Sequence, residues 1–245
     1  MIRMVNMPRF FIDEPVKNFY EVVGENAYHI MKSLRMRRGE KLILCHNRID
    51  YECEIVDFCA DFVKVRLLNE KRCEAESQIE ITLFQGLPKG DKMDMIVQKS
   101  VELGVSKIVP VFTNRCVSRP DEKSLRKKVE RWQKIAQEAA KQSGRGTVPK
   151  ILDAVSFEEA KKVAKAQGKV ILFYEDRGIS LKEALKDRMK SVSIFVGPEG
   201  GFEPTEVSEV EKIGGEICSL GKRILRTETA AIVATALVIY ELERS

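Results

Sequence analysis

The chain has 245 residues, of which 44% are hydrophobic and 32% charged, with 42 Lys and Arg against 37 Asp and Glu for a formal net charge of +5. That is enough apolar material for one large core or two modest ones, and a charge that permits a polyanionic partner without requiring one. No apolar run reaches the roughly 20 residues of a membrane-spanning helix, and the start MIRMVNMPRF lacks the apolar centre of a secretory signal, so a cytoplasmic protein with no membrane contact is expected.

The first 72 residues read as β-rich. Lys41 to Cys45, Tyr51 to Phe58 and Phe62 to Leu68 alternate apolar and polar residues, or are β-branched, at spacings that predict a small barrel. One helix interrupts it: Asn26 is the expected cap, Tyr28, Ile30, Met31 and Leu34 follow helical spacing, and Gly39 closes it. Its last turn is expected to carry Arg35, Arg37 and Arg38. Three arginines there suit either a solvated helix end favoured by the macrodipole or a phosphate-contacting surface, and Arg3, Arg9 and Lys32 in the same segment favour the second. The polar stretch NEKRCEAESQ, 69 to 78, lacks periodicity and marks the boundary between domains of residues 1–72 and 73–245.

Beyond it strands and helices alternate. Ile79 to Gly86 is a predicted strand, Asp91 to Leu103 a helix closed by Gly104, Lys107 to Phe112 a strand, and Ser124 to Gln142 a long charged helix. Ser156 with Glu159 and Ser180 with Glu183 read as capping boxes for two further helices, and the continuous apolar run Lys169 to Tyr174 as a central strand covered on both faces. Such alternation predicts an α/β fold with a mostly parallel sheet, whose ligands bind beyond the carboxyl ends of the strands. That rule selects Glu175, the turn Gly197-Pro198-Glu199-Gly200-Gly201, and the turn from Leu220 to Arg226.

The chemistry available at those ends is limited. Neither glycine turn fits a nucleotide fingerprint: the 197–201 turn is not GxGxxG, and Gly86 to Lys92 lacks the GxxxxGK[ST] register. Only two histidines exist, His29 and His46, both in the β-rich part, so no Ser/His/Asp elbow is present. Six cysteines (Cys45, Cys53, Cys59, Cys73, Cys116, Cys218) include no CxxC pair, so no metal site is expected and the thiols read as reduced core or strand residues. Glu175, Asp176, Arg177, Glu199, Arg226, Thr227 and Glu228 remain, suited to orienting an uncharged or zwitterionic ligand.

Five stretches in order, LRMRRGE (Leu34 to Glu40), GLPKGDKMDMIVQKSVELGVSKIVP (Gly86 to Pro110), ERWQKIAQEAAKQSGR (Glu130 to Arg145), FVGPEGGFEPTEV (Phe195 to Val207) and SLGKRILRTETAAIVA (Ser219 to Ala234), carry a resemblance that runs nearly end to end. The chain resembles the RsmE-type bacterial ribosomal RNA uridine-N3 methyltransferases of the SPOUT superfamily. The resemblance implies an N-terminal PUA-like β-barrel for RNA contact, a C-terminal α/β domain with a deep trefoil knot, a homodimer, and 16S ribosomal RNA, within the small subunit, as partner. It implies S-adenosyl-L-methionine as cofactor, held by Phe173, Tyr174, Glu175, Gly197, Pro198, Glu199, Gly200, Gly201, Leu220, Ile224, Leu225 and Arg226.

Methyl transfer from a sulfonium is an in-line displacement, so alignment and handling of the imide proton are what a protein contributes. Arg226 is the candidate for stabilising the developing anionic base, against a salt bridge to Glu228 or a helix-start contact. Glu199 is the candidate for orienting the cofactor or accepting a proton, against an ordinary solvated carboxylate. Arg9, Arg35, Arg37, Arg38, Lys89, Lys92, Arg115, Arg119 and Arg145 form a candidate RNA track. The competing functions are a non-catalytic ribosomal-RNA-binding or assembly protein on the same fold, and a nucleotide-dependent enzyme of small molecules.

Overall fold

The computed structural model describes residues 7–186 and 189–243; Arg3 lies outside the described residues. The chain divides into two compact units, the first running to Glu76 and taking in Ala140–Thr147, the second formed by Ser77–Ala139 and Val148 onward.

In the first unit five strands, β1 (Arg9–Phe11), β2 (Phe19–Val23), β3 (Lys41–His46), β4 (Ile49–Phe58) and β5 (Phe62–Arg72), make one sheet in the order β1-β3-β4-β5-β2. The β3–β4 hairpin turns at Asn47 and Arg48, both at positive φ (47° and 65°), the geometry that matches a tight turn to the strands' twist. Register shifts in β4 at Glu52/Cys53 and Ile55/Asp57 bend the sheet so that its inner face encloses Phe10, Leu42, Leu44, Cys53, Ile55, Val63 and Val65. Sequence alternation misses β1 and β2, which are short, and stops β5 four residues early. Its polar end, Asn69 to Arg72, still pairs with β4 because ladder hydrogen bonds need only backbone.

Two expectations for this unit fail. The helix ends sooner than expected: α1 (Gly24–Tyr28) passes into one π-helical turn over His29–Ser33, and Arg35 then takes φ 50°. Arg35, Arg37 and Arg38 therefore sit in an exposed loop rather than on a helical turn. Asn26 lies inside α1 and donates its side-chain N–H to Phe11 O (3.0 Å) instead of capping.

Arg9 and Arg145 are not surface cations. The guanidinium of Arg9 donates to both carboxylate oxygens of Asp50 at 2.6 Å, and to the carbonyl of Arg145. Arg145 donates to both oxygens of Glu76 (2.8 and 2.9 Å), and Glu76 also accepts from the amides of Gly146 and Thr147. The side chains of Arg145 and Glu76 are 3% and 6% exposed. Phosphate could reach neither guanidinium without breaking a desolvated ion pair, so both leave the expected RNA track. They instead hold Ala140–Thr147 on the first unit, an inclusion that a boundary at residue 72 could not anticipate.

The second unit is a parallel sheet in the order β12-β10-β11-β6-β7-β8, with β6 (Glu80–Gly86), β7 (Lys107–Phe112), β8 (Lys150–Ile151), β10 (Lys169–Phe173), β11 (Ser191–Val196) and β12 (Glu216–Cys218); β9 (Val155–Ser156) also pairs with β7. The helices are α2 (Lys92–Leu103), α3 (Glu122–Gln142), α4 (Phe157–Gln167), α5 (Leu181–Ala184), α6 (Pro204–Lys212) and α7 (Thr227–Glu243). Gly104 ends α2 at φ 119°, and Ser156 with Glu159 forms the expected reciprocal cap of α4. At the centre Phe84 of β6 stacks on Phe195 of β11 (4.7 Å), and Phe157 of α4 meets Phe195 edge-on (5.9 Å). Two aromatic rings on adjacent strands thus fix β6 beside β11, which brings the ends of both strands to one place.

The buried Glu76 generates a prediction. Burial alone would raise its pKa, but Arg145 and the two amides bring it below the ordinary 4.5. A depressed carboxylate stabilises the fold above its unfolded value and loses that contribution as pH falls through the folded value. Glu76→Gln should cost about 3–5 kcal/mol in urea unfolding at neutral pH, and the gap to wild type should shrink in acid below the carboxylate range.

Candidate active site

The sheet order sets β10 between β12 and β11, with β6 on the far side of β11. Because all four strands are parallel, their carboxyl ends share one edge, and the segments leaving them meet there. Phe173, Tyr174 and Glu175 follow β10; Gly197 to Phe202 follow β11; Leu220 to Leu225 follow β12 and lead into α7. Together with Val196, Thr227 and Ala230 these residues, Lys222 excepted, line one cleft.

Close backbone packing shapes it. Gly86, at the end of β6, lies under the 197–198 peptide, and a Cβ there would come 2.4 Å from Pro198 Cδ. Gly201 has φ 66°, and a Cβ would lie 2.7 Å from Glu175 Oε1. Both positions need glycine for different reasons, one for space and the other for conformation as well. Arg115 donates to Gly200 O at 3.0 Å and braces the turn from outside.

A buried clamp ties the turn to the helix. Thr227 Oγ1, at the first residue of α7, donates to Gly197 O at 2.6 Å. Gln85 Nε2, on β6 and fully buried, donates to Gly86 O (2.9 Å) and Thr227 Oγ1 (3.1 Å) and approaches Gly197 O at 3.3 Å. The strand-end rule points to Thr227 but passes over Gln85, a polar residue inside an apolar strand. That intrusion is the signal in the sequence that could have found it.

The sequence-predicted site residues separate into two groups. Phe173, Tyr174, Glu175, Gly197, Pro198, Glu199, Gly200, Gly201, Leu220, Ile224 and Leu225 all line the cleft. Arg226 does not. It is exposed and lines an adjoining cavity with Lys92, Glu199, Ile224, Leu225 and Thr227. Among the described residues it makes no ion pair with Glu228, whose Oε2 is buried without a hydrogen-bond partner.

Glu199 accepts from Lys92 Nζ at 2.7 Å and from the Lys89 amide at 3.1 Å. Partial burial pushes its pKa up, but Lys92 and the backbone amides outweigh that and hold it below the carboxylate range. Glu199 is therefore an ionised carboxylate engaged on two sides. Lys92 spends one of its ammonium donors on Glu199 and remains partly exposed.

Of the remaining expected RNA contacts, Lys89 is exposed, Arg38 pairs with Asp57, and Arg119 donates to Thr113 O (3.1 Å) above the Phe112 ring. Burial raises the thiol pKa of Cys45 and Cys53 to about 12 and of Cys218 to about 11, which makes them inert. Among the described residues no group of three or more His, Cys, Asp or Glu is placed to hold a metal ion, and no helix is long and apolar enough to cross a membrane.

Residues 75–239 match the family model of the RNA methyltransferase domain. Across 97% of the chain and 98% of the relative, the sequence is 35% identical to a ribosomal RNA small subunit methyltransferase E of Bacillus subtilis. The chain belongs to the ribosomal RNA small subunit methyltransferase E family. A family structure from Neisseria gonorrhoeae, bound to S-adenosyl methionine, is 33% identical with a TM-score of 0.85, covering 94% of this chain and 96% of that one. A Legionella pneumophila protein in complex with the same cofactor is 30% identical with a TM-score of 0.86, covering 96% and 97%. Family membership accounts for a parallel α/β sheet with a built cleft at its carboxyl edge.

The clamp yields a second prediction. Thr227→Val should destabilise the protein by about 1–3 kcal/mol, because Gly197 O loses its shorter donor and Gln85 Nε2 loses an acceptor, while Thr227→Ser should retain most of the stability. Chemical denaturation of the two variants separates the hydroxyl from the methyl.

Proposed function

We propose that this chain is an S-adenosylmethionine-dependent methyltransferase acting on N3 of a uridine in 16S ribosomal RNA of the small subunit. The observation that carries the proposal is the cleft built from three strand-end turns, in a chain whose solved relatives bind that cofactor.

The residues present fit the cofactor. Phe173, Leu220, Leu225 and Phe202 offer apolar walls, and the close glycine packing at Gly197 and Gly201 leaves backbone exposed for a ligand to approach. Glu175 and Glu199 supply negative charge beside them, which suits a ligand carrying a sulfonium and an ammonium.

When bound, S-adenosylmethionine supplies a methyl group on a sulfonium: the N3–C bond forms as the C–S bond breaks, the electron pair stays on sulfur, and the imide proton passes to water. The chain's own part is alignment and charge. The clamp of Gln85, Thr227 and Gly197 fixes the two turns relative to one another, so the cleft is preorganised. Arg226, exposed and without a carboxylate partner, is available to stabilise the uracil oxygens as N3 loses its proton. Loss of that proton to solvent fits a site in which Glu199 is already ionised and engaged.

The same reading extends to architecture and partners. The segment between β11 and α7 is proposed to be the trefoil knot, and the bent five-stranded sheet of the first unit a PUA-like RNA-binding module with Arg35, Arg37 and Arg38 as phosphate contacts. Helix α7 is apolar around much of its circumference and exposes Leu237, which supports a homodimer formed through it.

Labelled cofactor, purified protein and small subunits from cells lacking the gene provide the test. Label should appear on N3 of a uridine of the 16S RNA; no label, or label elsewhere, removes the reading. Arg226→Ala should slow transfer on the order of 10²–10³-fold with the fold intact. Leu237→Glu should shift the protein from dimer to monomer in sedimentation.

A further inference from the structure

We infer that the cavity beside the cleft, lined by Lys92, Glu199, Ile224, Leu225, Arg226 and Thr227, is the subsite for the acceptor base, and that Lys92 is a second cation acting there with Arg226. The inference rests on the methyltransferase reading for the reaction, but its geometry stands apart from it.

The two cavities share Glu199, Ile224, Leu225 and Thr227 and differ in their cations: Lys92 and Arg226 line the adjoining cavity, whereas Arg223 lines the cleft. A ligand in the cleft and a ligand in the adjoining cavity would therefore meet along a common wall, as donor and acceptor of a transferred group must.

The chemistry of the adjoining cavity selects its occupant. Ammonium and guanidinium groups only donate hydrogen bonds. Its one carboxylate, Glu199, is already accepting from Lys92 Nζ and from the Lys89 amide. The cavity therefore offers donors and few free acceptors, a match for a ring edge bearing two carbonyl oxygens that becomes anionic when N3 loses its proton. Uracil has that edge. Cytosine presents an amino group at position 4, where donor would meet donor.

Ile224, 90% exposed, gives the rim an apolar surface on which a base ring can lie. Glu199 then has a mechanical role: by holding Lys92 Nζ at 2.7 Å it keeps the ammonium at the cavity instead of letting a four-carbon chain sample solvent.

Uridine 5′-monophosphate, titrated into the protein with S-adenosylhomocysteine and followed by amide NMR, should move the resonances of Lys92, Glu199 and Arg226, and cytidine 5′-monophosphate should bind about tenfold more weakly or less. Lys92→Met should erase the preference. In single-turnover transfer at saturating RNA it should be slower on the order of 100-fold, with Lys92→Arg recovering much of the loss.

Equal binding of the two nucleotides, or shifts confined to the cleft, overturns the subsite. An unchanged single-turnover rate in Lys92→Met, or an equal loss in Lys92→Arg, removes Lys92 from the chemistry. If the wild type discriminates the nucleotides but transfers no methyl to the small subunit, the methyltransferase reading fails while the subsite stands.

Discussion

The hydrogen bond from Thr227 to the carbonyl of Gly197 is the contact on which the site depends. It joins the turn after β11 to the first residue of α7 across 30 residues of chain, and Gln85 of β6 donates into the same cluster. A buried carbonyl at the end of a strand needs a donor, and an irregular turn cannot provide one from its own ladder. Satisfying it with a side chain from the helix start locks together three elements that the sheet alone would leave adjacent. Glycine at position 86 lets them approach, since any side chain there would occupy the space of Pro198.

Charge is distributed along the chain by the same logic of burial. Arg9 and Arg145 are interior, each in a bidentate pair with a carboxylate, and they organise the first unit. Arg35, Arg37 and Arg38 are exposed in a loop. All five look alike in sequence. What separates them is whether the pair with a distant carboxylate is buried: Asp50 is 41 residues from Arg9 and Glu76 is 69 from Arg145, both pairs desolvated, whereas the Arg38–Asp57 pair lies in solvent. A desolvated guanidinium without such a partner would be costly, so Asp50 and Glu76 are as necessary as the arginines.

Around the cleft, charge takes a second form. Glu199, Lys92 and the Lys89 amide make a small network at the boundary of two cavities, and Arg226 stands beside it unpaired by Glu228. The network leaves its carboxylate ionised and its ammonium fixed, an arrangement that presents positive charge to a neighbouring ligand.

Much of this was legible in the sequence, and the legible part has a common cause. Alternating strands and helices, the Ser156 cap, the Gly104 stop and the glycine turn at 197–201 are local: propensity, capping and backbone freedom act within a few residues, so residue order determined them. The strand-end rule then carried most of the cleft. Tertiary structure alone decided that α1 stops at a π-helical turn, that Ala140–Thr147 joins the first unit, that Arg9 and Arg145 are buried, and that Arg226 lies next to the cleft rather than in it. The burial of Arg9 and Arg145 and the placing of Ala140–Thr147 depend on partners dozens of residues away, and linear order does not show which distant groups share a desolvated space.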